Sequence, residues 1–309
     1  MKWLALALLL AASPALAWSN QGHMITGAIA HDDLAAHDPA LLPQIEAIMQ
    51  GHPDWARFAA ALTGLSGEVR SRRLLELVAR WPDDARGTAR DHPSWHYQLR
   101  LILSVSDPVP VDPALRAQRF GQAPQAYALA LAILQDEFSP PADRAIALCW
   151  LVHLAGDIQQ PLHAAQLASA RFPRADLAGQ AAIVRTGPTA TPLPLHVYWD
   201  NVVGGDEDDA ANVEAQRLRL AALWPRQRLP ERTGRADAAA FAGWADESAR
   251  LARRLAYDHA RFEGGTSPAS AVTLSREYQQ QRDAVGARRV AASGYRIADA
   301  LRLALGPPQ

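Results

Sequence analysis

The chain has 309 residues, a formal net charge of −1 and a single cysteine, Cys149. So even a charge balance offers no basic surface to nucleic acid, and any attraction for an anionic partner has to be local. One cysteine excludes an internal disulfide, and no apolar run approaches the ~20 residues that a membrane-spanning helix needs.

Residues 1–17 read as a secretory signal peptide. Lys2 is the only charge, Leu4 to Ala12 make an apolar core too short to span a bilayer, and Ala15-Leu16-Ala17 is a small-residue cleavage site. Cleavage after Ala17 makes Trp18 the first residue of a secreted or periplasmic protein. No repeat, low-complexity tract or linker divides 18–309, which reads as one all-α domain. Apolar residues recur at three- and four-residue spacing over 22–36, 55–63, 68–79, 122–137, 141–159, 239–262, 274–287 and 289–305. No segment alternates with β-branched residues as a strand would. Prolines at 39, 43, 53, 82, 93, 140, 141 and 161 are expected to punctuate these helices rather than interrupt them. Cys149 lies in an apolar helical run and reads as a buried small hydrophobe. The stretch from Arg171 to Leu195 is the longest irregular segment, and Asp206 to Asp209 reads as a solvated loop or helix start.

The chemistry gathers in a few short motifs. In "HLAGDIQQPLH", His153 and Asp157 are four apart and share a helix face, Pro161 ends the helix, and His163 can fold back from the next turn. Apolar neighbours turn that face inward. A buried His–Asp pair alone is commonly a structural hydrogen bond. A second histidine favours metal, because Zn²⁺ takes imidazole nitrogen and carboxylate oxygen. "LHVYWDN" repeats the spacing with His196 and Asp200, and "WPDDAR" followed by "SWHYQL" offers Asp83 or Asp84 and then His96. With His23 the inventory exceeds one tetrahedral zinc site and suits several ions. A cleaved N-terminus adds another ligand: the free α-amine and carbonyl oxygen of Trp18 can chelate a metal, with His23 close in sequence.

"WSNQGH", "WPDDAR", "WHY", "HLAGDIQQPLH" and "LHVYWDN", in this order, resemble the S1/P1 nuclease family, the match being strongest over 18–201 and extending to "WADES" at 244–248. The resemblance implies a mostly helical, exported, zinc-dependent enzyme of the phospholipase C/P1 nuclease type. Such an enzyme cuts single-stranded DNA and RNA to 5′-mononucleotides and often removes 3′-phosphates from 3′-nucleotides. It implies three zinc ions per chain: one on Asp83, His96, His153 and Asp157, a second on Trp18, His23 and the bridging Asp157, and a third on His163, His196 and Asp200. Asp83 and Asp157 are thereby the expected catalytic carboxylates. Asp83 is preferred to Asp84 because Arg86 follows it by three. Tyr97 is implied to stack on a base and Asn201 to contact the nucleotide. Asp246 of "WAD" lacks the following arginine and is expected to face solvent, and His31, His37, His52, His92 and His259 are expected at the surface.

The chain departs from the family in two places. Leu99 stands where the family carries Asp or Asn, so the expected effect falls on turnover and substrate rather than on metal binding. "DLAGQ" at 176–180 is poorer in glycine than the family's turn. Two other classes remain open at this point: a phospholipase C-like or phosphomonoester hydrolase using the same metals, and a catalytically silent, zinc-stabilised binding protein. Tyr97 and Asn201 lean toward nucleotides, and only Leu99 speaks for silence.

Overall fold

The apolar repeats fold as helices in the computed structural model, which describes residues 18–110, 120–231 and 234–307; the expected signal segment, 1–17, lies outside the described residues. In chain order come α1 (Asn20–His37), α2 (Leu41–Met49), α3 (Trp55–Ala61), α4 (Gly67–Asp84), strand β1 (Arg100–Leu103), α5 (Ala123–Gln135) and α6 (Pro141–Asp157). A 3₁₀ turn (Pro161–His163) leads into strands β2 (Ala165–Ala168), β3 (Ile183–Arg185) and β4 (Leu193–Pro194). The chain then forms α7 (Leu195–Asp200), α8 (Ala210–Leu223), α9 (Ala238–Leu251), strand β5 (Val272–Thr273) and α10 (Arg276–Leu305).

The sequence of α6 explains its central place. From Ala147 to Asp157 every residue is buried, so the helix has no solvent face and must be surrounded. It packs against α4, α5 and α10, and its Trp150 and Leu151 join Trp81, Tyr127, Phe241 and Leu301 in the main core. Each such side chain contributes about 1.5–3 kcal/mol on burial. Helix α1 wedges between α4 and α10 through two glycines. A Cβ on Gly27 would come within 2.4 Å of the Leu75 carbonyl oxygen, and one on Gly294 within 2.5 Å of Ile29. A second, smaller core with Leu167, Trp199 and Tyr257 covers the strands.

The strands are the first departure from an all-helical reading. β1 and β2 pair in parallel, Arg100 opposite Ala165 through Leu103 opposite Ala168, and β3 sits between β4 and β5. They run to four residues at most among those described, too short for alternation to register in the sequence. The segment 274–287 and the segment 289–305 are one continuous helix, α10. The 239–262 repeat breaks: α9 stops at Leu251, a π-helical turn spans Ala252–Ala256, and Asp258, His259 and Ala260 adopt left-handed backbone. Pro82 lies inside the last turn of α4, and Pro43 in the first turn of α2, a helix that the spacing did not mark. The acidic 206–209 run does start a helix, Asp209 capping α8 by accepting from Asn212 N–H at 3.0 Å.

Two histidines expected at the surface are buried. His31 faces α4, its Nε2 2.8 Å from Ser71 Oγ, and His52 stands edge-on to Phe58 and Trp81. Each is covered by a partner distant in sequence, Ser71 for His31 and Trp81 for His52, which local spacing could not reveal. Cys149 is fully buried beside Met49.

Candidate metal centre

The end of α6 meets the start of α1, the end of α4 and the turn before β1, and each delivers a polar side chain to one buried nest. His153 and Asp157 project from successive turns of α6, with Nε2 and Oδ2 3.1 Å apart. His96 Nδ1 lies 2.9 Å from the same Asp157 oxygen and 3.1 Å from His153 Nε2. From α1, His23 Nε2 approaches the other Asp157 oxygen at 3.2 Å and Asp83 Oδ2 at 3.5 Å, while its ring stacks on His153. Asp157 thus presents one oxygen to His23 and the other to His96 and His153. Asp83 gives its Oδ1 to Arg86, whose Nε donates at 3.0 Å, and turns its Oδ2 inward.

A second group gathers beside the first. His196 and Asp200 stand one turn apart on α7, and His163 reaches them from the 3₁₀ turn, its ring centroid 5.0 Å from that of His196. Gln160 Nε2 donates to Asp200 Oδ1 at 2.7 Å, leaving Oδ2 facing His196 Nε2 at 3.5 Å. In each of three sets the ligand-type atoms lie within 4.8 Å of one another: His23, Asp83 and His153; His96, His153 and Asp157; His163, His196 and Asp200.

Main-chain carbonyls aim the imidazoles. His153 Nδ1–H donates to Ala79 O at 2.8 Å, His163 Nδ1–H to His96 O at 2.7 Å, and His196 Nδ1–H to Ala178 O at 2.7 Å. Those acceptors fix the tautomer with the Nε2 lone pair directed inward, the arrangement that supports a metal-bound histidine. The Ala178 carbonyl is aimed by the glycine-poor turn: Ala175, Leu177, Ala178 and Gly179 all have positive φ. Three of them carry side chains, at a cost of about 1–3 kcal/mol each.

The electrostatics of the two groups differ. Burial by itself would raise Asp157 and Asp83, but His153 and the other neighbouring histidines, joined by Arg86 at Asp83, outweigh it and hold both carboxyls low. Burial drives His163 down to about 3, with His196 adding to it, so its imidazole is neutral at pH 7. Burial also raises Asp200 well above the carboxylate range, with Asp157 and Asp83 opposing its charge. His23 Nε2, Asp83 Oδ2, His96 Nε2, Asp157 Oδ1, His163 Nε2 and Asp200 Oδ2 are all buried without a hydrogen-bond partner. So many unsatisfied polar atoms in one place would be costly, and a divalent cation is the group that satisfies them together. Imidazole nitrogens with carboxylate oxygens and no thiolate form the donor set that zinc accepts.

The other expected residues lie around this nest. Trp18 is fully buried, its indole N–H donating to Gly156 O at 3.1 Å, and the Ser19 amide donates to Asp200 O at 3.2 Å. Tyr97 stacks its ring on His163 at 4.6 Å, and its hydroxyl is buried without a partner. Asn201 closes α7, one residue past Asp200. Leu99 is half-buried, its amide donating to Phe120 O at 2.8 Å. Asp246 pairs with Arg100 at the surface, away from the histidines. The sequence reading missed Gln160 as a clamp on Asp200, although it stands inside the "QQPLH" motif. The carbonyls of Ala79, His96 and Ala178 carried no sequence signal at all, because every residue has one.

No curated protein matches the chain. The family model for S1/P1 Nuclease matches residues 18–306, a span that contains all nine residues from Trp18 to Asp200 placed above. The chain belongs to the S1/P1 nuclease family, zinc-dependent enzymes that act on single-stranded nucleic acids.

Proposed function

We propose that the mature protein begins at Trp18, is exported, and uses three zinc ions to hydrolyse single-stranded DNA and RNA to 5′-mononucleotides and to remove 3′-phosphates. The observation that carries this reading is the convergence of buried, partnerless imidazole nitrogens and carboxylate oxygens in adjoining sets. Asp83, His96, His153 and Asp157 would hold one ion. The Trp18 amine and carbonyl, His23 and Asp157 would hold the second, and His163, His196 and Asp200 the third. Asp157 suits the shared position because its two oxygens already face different histidines.

Zinc, when bound, lowers the pKa of water toward neutrality and draws charge from phosphoryl oxygens. The protein's own share is orientation. Carbonyl-locked imidazoles are fixed in orientation, Arg86 holds one oxygen of Asp83 while leaving the other free, and Gln160 does the same for Asp200. Asp83 and Asp157 are the carboxylates through which the chain supports the reaction. Tyr97, by stacking on a base, and Asn201 are the proposed contacts for substrate. Three dipositive ions against three aspartates also concentrate positive charge in the cleft of a nearly neutral protein, enough to draw in a polyanion.

The deciding experiment uses processed protein, elemental analysis, and assays on single-stranded DNA, a 3′-nucleotide and phosphatidylcholine. Three zincs per chain, chelator-sensitive cleavage and 5′-phosphate products are expected. Full activity with one metal or none would overturn the reading, and hydrolysis of phosphatidylcholine with DNA left intact would move it to lipids.

A further inference from the structure

The end of α9 and the middle of α10 line a groove of about 520 Å³, within the size range of ligand sites. Four arginines face it, Arg250, Arg254, Arg288 and Arg289, against two carboxylates, Glu231 and Glu247. Both carboxylates are already engaged, Glu231 with Arg288 at 2.7 Å and Glu247 with Arg289 at 3.0 Å. Arg250 and Arg254 are exposed and make no ion pair with any described residue. A cation at a helix C-terminus is ordinary in itself, since it complements the helix dipole. Here a second like charge follows four residues later, an arrangement that repels, and no described carboxylate forms an ion pair with either arginine. Concave walls focus the field of such unpaired charges.

The groove is also joined to the metal centre. The buried Arg289 guanidinium donates to Gln159 O at 3.1 Å and Gln159 Oε1 at 2.6 Å, two residues beyond Asp157. The next residue, Gln160, holds Asp200. Arg289, which lines the groove, is therefore hydrogen-bonded to the segment that carries the metal-facing side chains.

We propose that this groove anchors the phosphodiester backbone of a single strand beyond the nucleotides at the cut, with Arg250 and Arg254 each taking a phosphate. Guanidinium groups suit that ligand because their paired N–H donors match phosphate oxygens. The proposal rests on the single-strand nuclease reading and extends it to a site away from the metals.

The test compares zinc-loaded wild type with an Arg250→Ala/Arg254→Ala variant. Binding of phosphorothioate oligothymidylates is measured by fluorescence anisotropy, using a dinucleotide and a strand of about twenty nucleotides, longer than one binding channel. For the long strand, Kd is expected to rise roughly tenfold, several-fold more than for the dinucleotide. The slope of log K against log salt should flatten by about 1.4, the share of two phosphate contacts on a single strand. Arg250→Lys/Arg254→Lys should restore part of the long-strand affinity, because lysine keeps the charge without the paired donors. Equal weakening at both lengths, no weakening, or no rescue by lysine overturns the proposal. Equal weakening for thymidine 5′-monophosphate and the long strand also overturns it, in favour of a free-nucleotide site. The nuclease reading is judged separately, by whether wild type cleaves single-stranded DNA, and its failure leaves the binding comparison intact.

Discussion

His52 stands between Phe58 and Trp81, with its Nδ1 accepting the Asp54 amide at 2.9 Å. Burial pushes its pKa down from 6.5 to about 4, Asp54 opposing the shift and Arg90 adding to it. In the unfolded chain the same ring takes a proton near pH 6.5. Between pH 6.5 and 4 the unfolded state therefore binds more protons, so stability present above pH 6.5 is lost as pH falls toward 4. His52→Asn keeps an acceptor for the Asp54 amide but cannot titrate. The variant should be the less stable at pH 7 because it loses ring packing. The gap between the two proteins should narrow by roughly 2 kcal/mol on going to pH 4, allowing for solvent screening. Urea unfolding at the two pH values measures it, and a constant gap would show that the His52 proton plays no part.

At the scale of elements, α1 and α10 approach as closely as Gly294 permits. A methyl there meets Ile29 at 2.5 Å, so Gly294→Ala must push two buried helices apart and should cost about 1–3 kcal/mol. Gly243 on α9 supplies the control: a Cβ there meets nothing within 4 Å, and Gly243→Ala should stabilise by about 0.5–1 kcal/mol through helix propensity. Thermal melts of both variants should shift in opposite directions. The helices on which these positions sit were legible from apolar spacing, as were the ligand-bearing turns of α6 and α7, where His and Asp four apart need only helical geometry. What the sequence hid has a common physical cause. The short strands pair Arg100 with Ala165 and Val184 with Val272, partners fixed by tertiary packing rather than by local pattern. The burial of His31 and the clamp of Gln160 on Asp200 depend in the same way on residues about forty positions distant. Asp83 was separable from Asp84 only through the following arginine. The structure shows that difference directly, Asp83 turned into the nest and Asp84 outward to Arg57 and Arg80.

For the whole molecule, the proposed chelate places the chemistry of one zinc at Trp18. Trp18 is pinned to Gly156 at the end of α6, and Ser19 to the Asp200 carbonyl at the end of α7. A protein that keeps extra residues ahead of Trp18 has an amide where the proposed chelate needs an amine. It should fold, bind one zinc fewer, and lose at least about tenfold in kcat/KM. Zinc analysis and assay of an extended and a processed preparation check this, and equal zinc content and activity would refute the chelate. The His96 clamp has a consequence of another kind. Its ring belongs to the nest with His153 and Asp157, while its carbonyl orients His163 in the neighbouring set. Ordering His96 by filling the first nest therefore readies the second, and by reciprocity the second steadies the first. Metal loading should be cooperative, with a zinc titration steeper than independent sites allow. Under a chelator the ions should leave together, so that half-loaded enzyme is scarcely populated at any stage.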